Sequence, residues 1–326
     1  MDSDRYDALD RQIAHALQID GRAPFSTIAQ VLGVSDRTVA RRCGRLFAAG
    51  ALRVSGATDP VLLGEVPWFL RVRCAPDAAP RVAEALARRP DTRWISLTSG
   101  GTEIVCSVHA RSEQETEALL LTKLPRTPRV EGITAHCVLH TFFGRRTALI
   151  DKHGPLTDDQ VERLRPAGPH AGSGPVQLDA ADRRLLAELA ADGRAGFDRL
   201  AAVTGWSPST VRRRLAELRG LGALYFEVEF DWRLLGFGTR TMLWLSVEPA
   251  RLDAAGRALA AHPETAFAAA TTGPTSLYAS VLCADQAALY RYLTERVAAL
   301  PGAGRVETAP VIRTVKRGSG GLWPQL

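Results

Sequence analysis

The sequence of 326 residues predicts an α+β protein in which a winged helix-turn-helix head, followed by a βαββαβ ferredoxin-like body, occurs twice. The first observation is an internal repeat: residues 10–52 align without a gap on residues 182–224, and 20 of the 43 positions are identical. The second is that strand and helix patterns follow each repeat in the order βαββαβ. A duplicated unit of this length is a whole module, because solenoid repeats span only about 20–50 residues.

Each head is predicted to contain three helices. In the first copy, Leu9, Ile13 and Leu17 recur at helical spacing, and Asp20-Gly21 ends that helix. A short second helix and a tight turn at Gly33 lead to Ser35, which is placed to cap a third helix. The residues predicted to form the buried seam of the third helix are Val39, Cys43 and Leu46, and in the second copy Val211, Leu215 and Leu218.

The opposite face of each third helix is rich in arginine. Such a helix fits the major groove of DNA, where arginine bonds guanine edges or neutralises phosphates. A solvated basic face on an ordinary three-helix bundle is the alternative, but two aligned copies favour DNA binding. The residues predicted to contact DNA are Ser35, Arg37, Thr38, Arg41, Arg42 and Arg45 in the first copy, and Ser207, Ser209, Thr210, Arg212, Arg213 and Arg214 in the second. Because the arginines face away from the seams, alanine at Arg41, Arg42, Arg213 and Arg214 is expected to leave the thermal transition nearly unchanged.

Each body is predicted to be a sheet with helices on one face. Met242-Leu243-Trp244-Leu245 is apolar at consecutive positions, so both faces of that strand should be buried. The bare face of the second sheet is therefore expected to pack on the first body, as a pseudo-dimer within one chain that can assemble further into a homo-oligomer. Arg71 and Arg73 weaken this prediction, since they lie on the second face of strand 66–74.

Bulk properties set limits on function. A net charge of +6 and a pI near 9.4 permit a polyanionic partner without requiring one. The sequence has no apolar stretch long enough to span a membrane, and the acidic Met1–Asp4 start indicates no secretory signal. Five cysteines without a CxxC pair are typical of reduced thiols, so we expect a cytoplasmic protein without metal or cofactor.

The order of head, hinge and body resembles the Lrp/AsnC (feast/famine) family of transcriptional regulators, here in a double-length fused form. The resemblance rests on Leu9-Asp10 with Asp20-Gly21-Arg22, on Asp182 with Asp192-Gly193-Arg194, on the serine-capped third helices, and on the hinges Asp59–Gly64 and Asp231–Gly236. It implies a regulator of transcription that binds double-stranded DNA.

The same resemblance implies a small-molecule effector, often an amino acid, bound between paired bodies beside a glycine-bearing loop. The matching residues are Gly100, Gly101, Thr102 and Glu103 in the first body, and Gly273, Pro274, Thr275 and Ser276 in the second. The family usually has aspartate three residues after the first glycine. This chain departs from that pattern, with Glu103 and Ser276 at those positions.

These observations divide the chain into six segments. The expected segments are a first head at 1–58, a first body at 59–150, a linker at 151–177, a second head at 178–230, a second body at 231–318 and a disordered tail at 319–326. A short helix is expected between Leu156 and Leu164 within the linker, before a flexible crossing rich in proline and glycine.

The competing hypothesis is an enzyme, because haem-pathway decarboxylases of the siroheme type resemble the same two-module architecture. His136 and His140, with Cys137 between them, would share one face of a strand and could contact a metal or a tetrapyrrole. No third ligand has a suitable spacing, and the motifs of hydrolases, P-loop proteins and dinucleotide-binding proteins are absent from the sequence. The intact basic helices favour the regulator. A non-specific architectural protein would explain the charge but not the bodies.

Overall fold

The computed structural model describes residues 6–110, 112, 114, 117–124, 126–166 and 175–318. It confirms two heads and two βαββαβ bodies in the predicted order. The first module consists of α1 (Ala8–Ile19), α2 (Phe25–Leu32), α3 (Asp36–Ala48), β1 (Leu52–Thr58), β2 (Val66–Cys74), α4 (Ala79–Ala87), β3 (Thr92–Thr98), β4 (Glu103–Ala110), the wide helical turn α5 (Ala118–Lys123) and β5 (Val130–Phe143).

The second module repeats this order after two short connecting helices. Its elements, with the connecting helices first, are α6 (Leu149–His153), α7 (Asp158–Leu164), α8 (Ala180–Ala191), α9 (Phe197–Thr204), α10 (Pro208–Gly220), β6 (Leu224–Phe230), β7 (Thr239–Val247), α11 (Leu252–Ala261), β8 (Thr265–Thr271), β9 (Leu277–Cys283), α12 (Gln286–Arg291) and β10 (Ala303–Lys316).

Both third helices begin at the predicted serine caps. The Ser35 hydroxyl accepts a hydrogen bond from the Thr38 amide, and Ser207 accepts one from the Thr210 amide. Gly33, with φ +67°, ends α2 in the left-handed conformation that glycine adopts without strain. The predicted seams of α3 and α10 are buried, so the local pattern determines which face of each helix remains outside.

The two heads form a single unit. Strand β1 pairs antiparallel with β6, from Leu52 opposite Phe230 to Thr58 opposite Leu224. Arg22 donates hydrogen bonds to the carbonyls of Gly193 and Ala195, and Arg194 donates in the same way to Gly21 and Ala23. One hydrophobic core contains side chains of both heads. The spacing between the heads is therefore determined by the structure of the chain itself.

The two bodies close one eight-stranded barrel. The strand order is β10-β3-β4-β2-β5-β8-β9-β7, and the long strands β5 and β10 each pair with their own body and with the other. The inner core contains Phe69 and Val105 from the first body and Met242, Trp244 and Tyr278 from the second. The sheets therefore face each other within one chain, as the apolar run Met242–Leu245 predicts, and all four residues of that run are buried.

Arg71 is accommodated in this arrangement by neutralisation. Its guanidinium bonds Glu103 at 2.7 Å, pairs with Glu307 of the other body and lies 5.0 Å from the Trp244 ring centroid. Two carboxylates and an aromatic face compensate an arginine placed between the sheets. The arginine that weakened the prediction of sheet pairing from the sequence thus contributes a contact between the bodies.

The connecting helices pack on both modules. Leu156 and Leu164, at the ends of the helix predicted in the linker, join the core of the heads, and the Gln160 amide donates to the Val31 carbonyl. Lys152 of α6 donates to three carbonyls of the second body, at Ala260, His262 and Thr265. The predicted flexible crossing runs from Pro166 to Pro175, and its residues 167–174 lie outside the described residues, as does the predicted disordered tail at 319–326. Within the described part of the chain, no helix is long and apolar enough to cross a membrane.

Candidate nucleic-acid interface and effector loops

The outer face of α3 presents two unpaired arginines. Arg37 and Arg41 are exposed, and neither has an ion pair among the described residues. The hydroxyls of Ser35 and Thr38 lie 2.9 Å apart at the N-terminus of the helix. Free guanidinium groups beside a helix N-terminus are suited to phosphate oxygens and base edges.

The outer face of α10 has the same character. Arg212 and Arg213 are exposed, and the Arg212 guanidinium lies 4.7 Å from the centroid of the Phe197 ring. The Ser207 hydroxyl is 2.9 Å from the hydroxyls of both Ser209 and Thr210. Each head thus has a pair of exposed arginines and a cluster of hydroxyls at the start of its third helix.

Arg42 and Arg214 are engaged within the heads. Arg42 bonds Asp10 at 3.1 Å and also bonds Asp7, whose hydrogen bond raises the pKa of Arg42. Arg214 bonds Asp182 at 2.7 Å. The side chains of Asp10 and Asp182 are only 1% and 3% exposed, so each pair joins the third helix of a head to its first.

These ion pairs correct the prediction that all four substituted arginines would leave the thermal transition unchanged. Facing away from the apolar seam places Arg42 and Arg214 against the first helix rather than in solvent. Removing either one leaves a buried carboxylate with fewer partners, which is a destabilising change. A contact of either arginine with DNA remains a prediction, and so does that of Arg45.

The third helices of the two heads differ about one helical turn after Arg42 and Arg214. Arg45 pairs with Asp10 and is half exposed, whereas Glu217 pairs with Arg214 at 2.9 Å. The carboxylate at the first helix is thus contacted by two arginines in the first head and by one arginine in the second. The difference between Arg45 and Glu217 changes the internal ion pairs as well as the outer surface.

The first predicted effector loop is a tight turn. Gly100 and Gly101 have φ values of +77° and +86°, which glycine adopts at low cost. Thr102 donates to the Ser99 carbonyl, and Glu103 is buried. The Glu103 carboxylate accepts hydrogen bonds from Arg71 and from the hydroxyls of Thr98 and Ser99, so protein donors already occupy it.

The second predicted loop lies against His136. The Nδ1 atom of His136 is 2.9 Å from the Thr272 carbonyl oxygen, and Gly273 has φ +104°. Ser276 bonds the backbone of Val247, while the buried Thr275 hydroxyl has no hydrogen-bond partner within the described residues. Pro274 lies between them in the turn. The placement of an effector at either loop remains a prediction.

The two histidines of the competing hypothesis do not share a face. His136 is buried with its ring 4.7 Å from Trp244, whereas His140 is exposed beside Phe142. The register of β5 shifts between Val138 and His140, and this irregularity breaks the alternation that a regular strand would have. Burial lowers the pKa of His136, which favours the neutral ring. The described residues contain no cluster of three or more metal-ligating side chains.

The structure also contains a cavity that the sequence did not predict. This cavity lies between the paired strands β1 and β6 and one side of the barrel. Both bodies and both heads contribute to this central cavity, and none of the predicted effector residues lines it. Its lining comes from many separate elements, so no local motif marks it.

Comparisons with known proteins agree with this architecture. The AsnC-type helix-turn-helix domain matches residues 7–46 and 178–219, and the Lrp/AsnC ligand binding domain matches residues 68–148 and 241–320. An uncharacterized HTH-type transcriptional regulator of Pyrococcus abyssi is 32% identical over 129 residues, which are 39% of this chain and 80% of the relative. The HTH-type transcriptional regulator FL11 of Pyrococcus horikoshii is 28% identical over 137 residues, or 41% of this chain and 90% of the relative.

One solved structure is similar over nearly the whole chain. The siroheme decarboxylase NirDL superposes with a TM-score of 0.63 at 15% identity, covering 96% of this chain and 94% of that protein. At this identity the similarity establishes a shared fold. The capped helices and the domain matches define a DNA-binding transcriptional regulator of the helix-turn-helix class. The chain belongs to the Lrp/AsnC family, and each of the two family domains occurs twice in it.

Proposed function

We propose that this regulator reads two DNA half-sites at once, through the outer faces of α3 and α10, in the cytoplasm. Segments 1–58 and 178–230 would bind DNA, and segments 59–150 and 231–318 would assemble the molecule. The observation that carries the proposal is the pair of exposed, unpaired arginines on a serine-capped third helix in each of two firmly joined heads.

The arginines divide into two groups in this proposal. Arg37, Arg41, Arg212 and Arg213 contact DNA, since their guanidinium groups project outward. Arg42 and Arg214 hold the third helix at the correct angle on the first helix through the buried aspartates. Phosphate contacts by the first group would release counterions, so the affinity should fall steeply with salt concentration.

The experiment compares two variants that lose the same charge. Arg41→Ala with Arg213→Ala should weaken binding to duplex DNA by at least about tenfold and reduce the slope of log K against log salt by about two. Arg81→Ala with Arg88→Ala removes two exposed arginines at the helix α4 of the first body and should leave both quantities unchanged. Both variants are measured by fluorescence anisotropy. An equal loss of DNA affinity in the two variants would show that only the net charge matters, and it would contradict the proposal.

An effector at the glycine loops is the second part of the proposal. The glycine conformations and the internal path from Glu103 through Arg71 and Trp244 to His136 support it, because that path joins one loop to the other. A ligand that alters this path would shift one body against the other, with a coupling of about 1–3 kcal/mol. The test is a screen of amino acids for those that raise the melting temperature. Gly273→Ala should abolish such an increase, because the added Cβ would lie 2.8 Å from His136 Nδ1.

Assembly into a homo-oligomer is proposed from exposed apolar residues. Leu139 on β5 and Ile312 on β10 occupy equivalent positions in the two bodies and are 62% and 61% exposed. A contact between chains would bury these exposed apolar side chains. Sedimentation of the wild type and of Leu139→Lys with Ile312→Lys tests this, and the variant should be the smaller particle.

We propose a regulator without enzymatic activity, and decarboxylation of a tetrapyrrole is the second candidate. The specific observations in its favour are the similarity of the whole fold to NirDL, which has also been solved with an iron-uroporphyrin III analogue, and the central cavity. Adding siroheme to the full chain distinguishes the two. A shifted visible band with release of carbon dioxide favours the enzyme, and an unchanged spectrum together with DNA binding favours the regulator.

A further inference from the structure

The central cavity lies on the pseudo-twofold axis that relates the two modules. The strand pairing shows which positions of the two bodies are equivalent. Val66 pairs with Ala110 in the first body, and Thr239 pairs with Cys283 in the same way in the second. The lining contains equivalent positions from both modules, including Pro67 with Arg240, Trp94 with Phe267, and Ser107 with Ser280. Among the described residues, this cavity is therefore shared by the two modules.

The two halves of the lining have diverged. Where the first module places Pro67, the second places Arg240, and where the first places Pro60, the second places Trp232. A homodimer would present two identical walls to a cavity on its axis. Fusion into one chain has allowed an arginine of the second module to line the cavity where the first module has a proline.

The positive charge of Arg240 has aromatic and hydroxyl neighbours but no carboxylate partner among the described residues. Its guanidinium lies 5.6 Å from the Trp94 ring centroid and 5.4 Å from that of Trp232, and its Nε atom donates to the Ser280 hydroxyl at 2.8 Å. Its Nη1 atom is buried without a hydrogen-bond partner, and no carboxylate of the described residues forms an ion pair with it. An unpaired cation beside a cavity is costly, and a bound carboxylate would remove that cost.

Part of the cavity lining is aromatic. The Phe69 ring lies 5.6 Å from Phe267 in an edge-to-face arrangement and 4.4 Å from Tyr278. These three rings are part of the cavity lining, and Phe69 and Tyr278 also belong to the inner core of the barrel. Such a surface favours a flat apolar or aromatic group over a flexible polar one.

We propose that the central cavity binds a planar aromatic carboxylic acid, whose carboxylate is bonded by Arg240 and whose ring packs against Phe69, Phe267 and Tyr278. This site is separate from the glycine loops. Strands β1 and β6 of the heads form part of its wall, so an occupant touches heads and bodies at the same time. The existence of this site does not depend on whether the heads bind DNA.

The first experiment measures binding by the full chain in the absence of DNA. The change in tryptophan fluorescence is followed during titration with 1-naphthoate, with the neutral 1-naphthamide, and with iron-uroporphyrin, a larger flat ring that also bears carboxylates. The acid should bind at least about tenfold more tightly than the amide, because only the acid forms a charge-assisted pair with Arg240. Equal binding of acid and amide would overturn the assignment of Arg240.

The titration with iron-uroporphyrin shows which class of aromatic carboxylic acid the cavity binds. Binding of naphthoate places the site among sites for small aromatic acids. Binding of iron-uroporphyrin alone, with loss of its band in the Arg240 variant, supports the same carboxylate chemistry with a tetrapyrrole as ligand. Binding of neither compound overturns the proposal.

Two substitutions locate the site. Arg240→Gln should weaken binding of the acid by about tenfold to a hundredfold and leave the amide unaffected, and Arg240→Lys should restore part of the loss. Ala266→Trp places a large ring at another position of the cavity lining and should block both compounds. Arg305→Gln, an exposed arginine on β10 outside the lining, is the control. Unaltered binding in both cavity variants, with unchanged melting temperatures, would place the ligand elsewhere.

Discussion

Asp10 and Asp182 occupy equivalent places in the two heads but have different partners. Asp10 is contacted by Arg42 and Arg45, whereas Asp182 is paired with Arg214 alone among the described residues. Arg214→Ala should therefore cost about 3 kcal/mol of stability, as for a broken buried pair, and Arg42→Ala about 1 kcal/mol, because Arg45 remains. Thermal melting of the two variants measures the difference. Arg213→Ala is the control, and a larger loss for Arg42→Ala would contradict this account.

A second residue-scale prediction concerns Glu227, which lines the central cavity. Burial, followed by the neighbouring Glu229, raises the pKa of Glu227 from 4.5 to about 7, while Arg93, Arg145 and the Tyr225 hydroxyl act in the opposite direction. Because the folded pKa is the higher one, the ionised form is disfavoured by folding. The resulting destabilisation is absent below pH 4.5, grows as the pH rises and is complete above about pH 7.

The substitution Glu227→Gln removes this ionisation. The melting temperature of the variant minus that of the wild type should increase between pH 5 and pH 8. Glu131→Gln, at an exposed glutamate of β5, should give a difference that does not change with pH. A constant difference for Glu227→Gln over the same range would show that Glu227 is ionised in the folded chain throughout.

At the scale of elements, the third helices show what the sequence can predict and what it cannot. Caps and seams are local, because Ser35 and the Thr38 amide that donates to it lie three residues apart and apolar spacing identifies the buried face. The roles of Arg42 and Arg214 are not local, since their aspartates lie 32 residues earlier in the chain. Helical periodicity separates the inner face from the outer one but does not show which outer residues meet a neighbouring helix.

The difference between Arg45 and Glu217 predicts an operator that is not an exact palindrome. Arginine favours guanine, whereas glutamate accepts only from donors such as the amino group of cytosine and repels phosphate. Glu217→Arg would place a second arginine beside Asp182 and so reproduce the arrangement at Asp10. Sites selected from random DNA should become more symmetric for this variant than for the wild type. Identical palindromes for both proteins would show that position 217 does not contact DNA.

At the scale of the whole molecule, the predicted pairing of the two sheets is correct, but the sequence could not show how they pair. The apolar run in β7 predicted that both faces of that strand are buried. Only the structure shows that β5 and β10 join the two sheets into a closed barrel. The central cavity was missed for a physical reason. Its lining residues are single positions on many strands, and they acquire a common environment only when both modules are folded together.

The joined heads lead to a prediction about the spacing of half-sites. The ladder of β1 with β6, the reciprocal bonds of Arg22 and Arg194, and the common core hold the two third helices in one geometry. Two half-sites gain from being bound together only when their separation matches that geometry. Heads on a flexible tether would tolerate an inserted full turn of DNA, because the half-sites would again lie on the same side of the duplex.

Operators lengthened at the centre by five and by ten base pairs test this directly. Both insertions should reduce the affinity of the wild type to that of a single half-site, because neither restores the distance between the helices. Fluorescence anisotropy with the original operator, the two lengthened operators and an isolated half-site gives the comparison. If the operator with ten added base pairs keeps the original affinity, the heads separate on DNA, and the contacts between β1 and β6 must open when the protein binds.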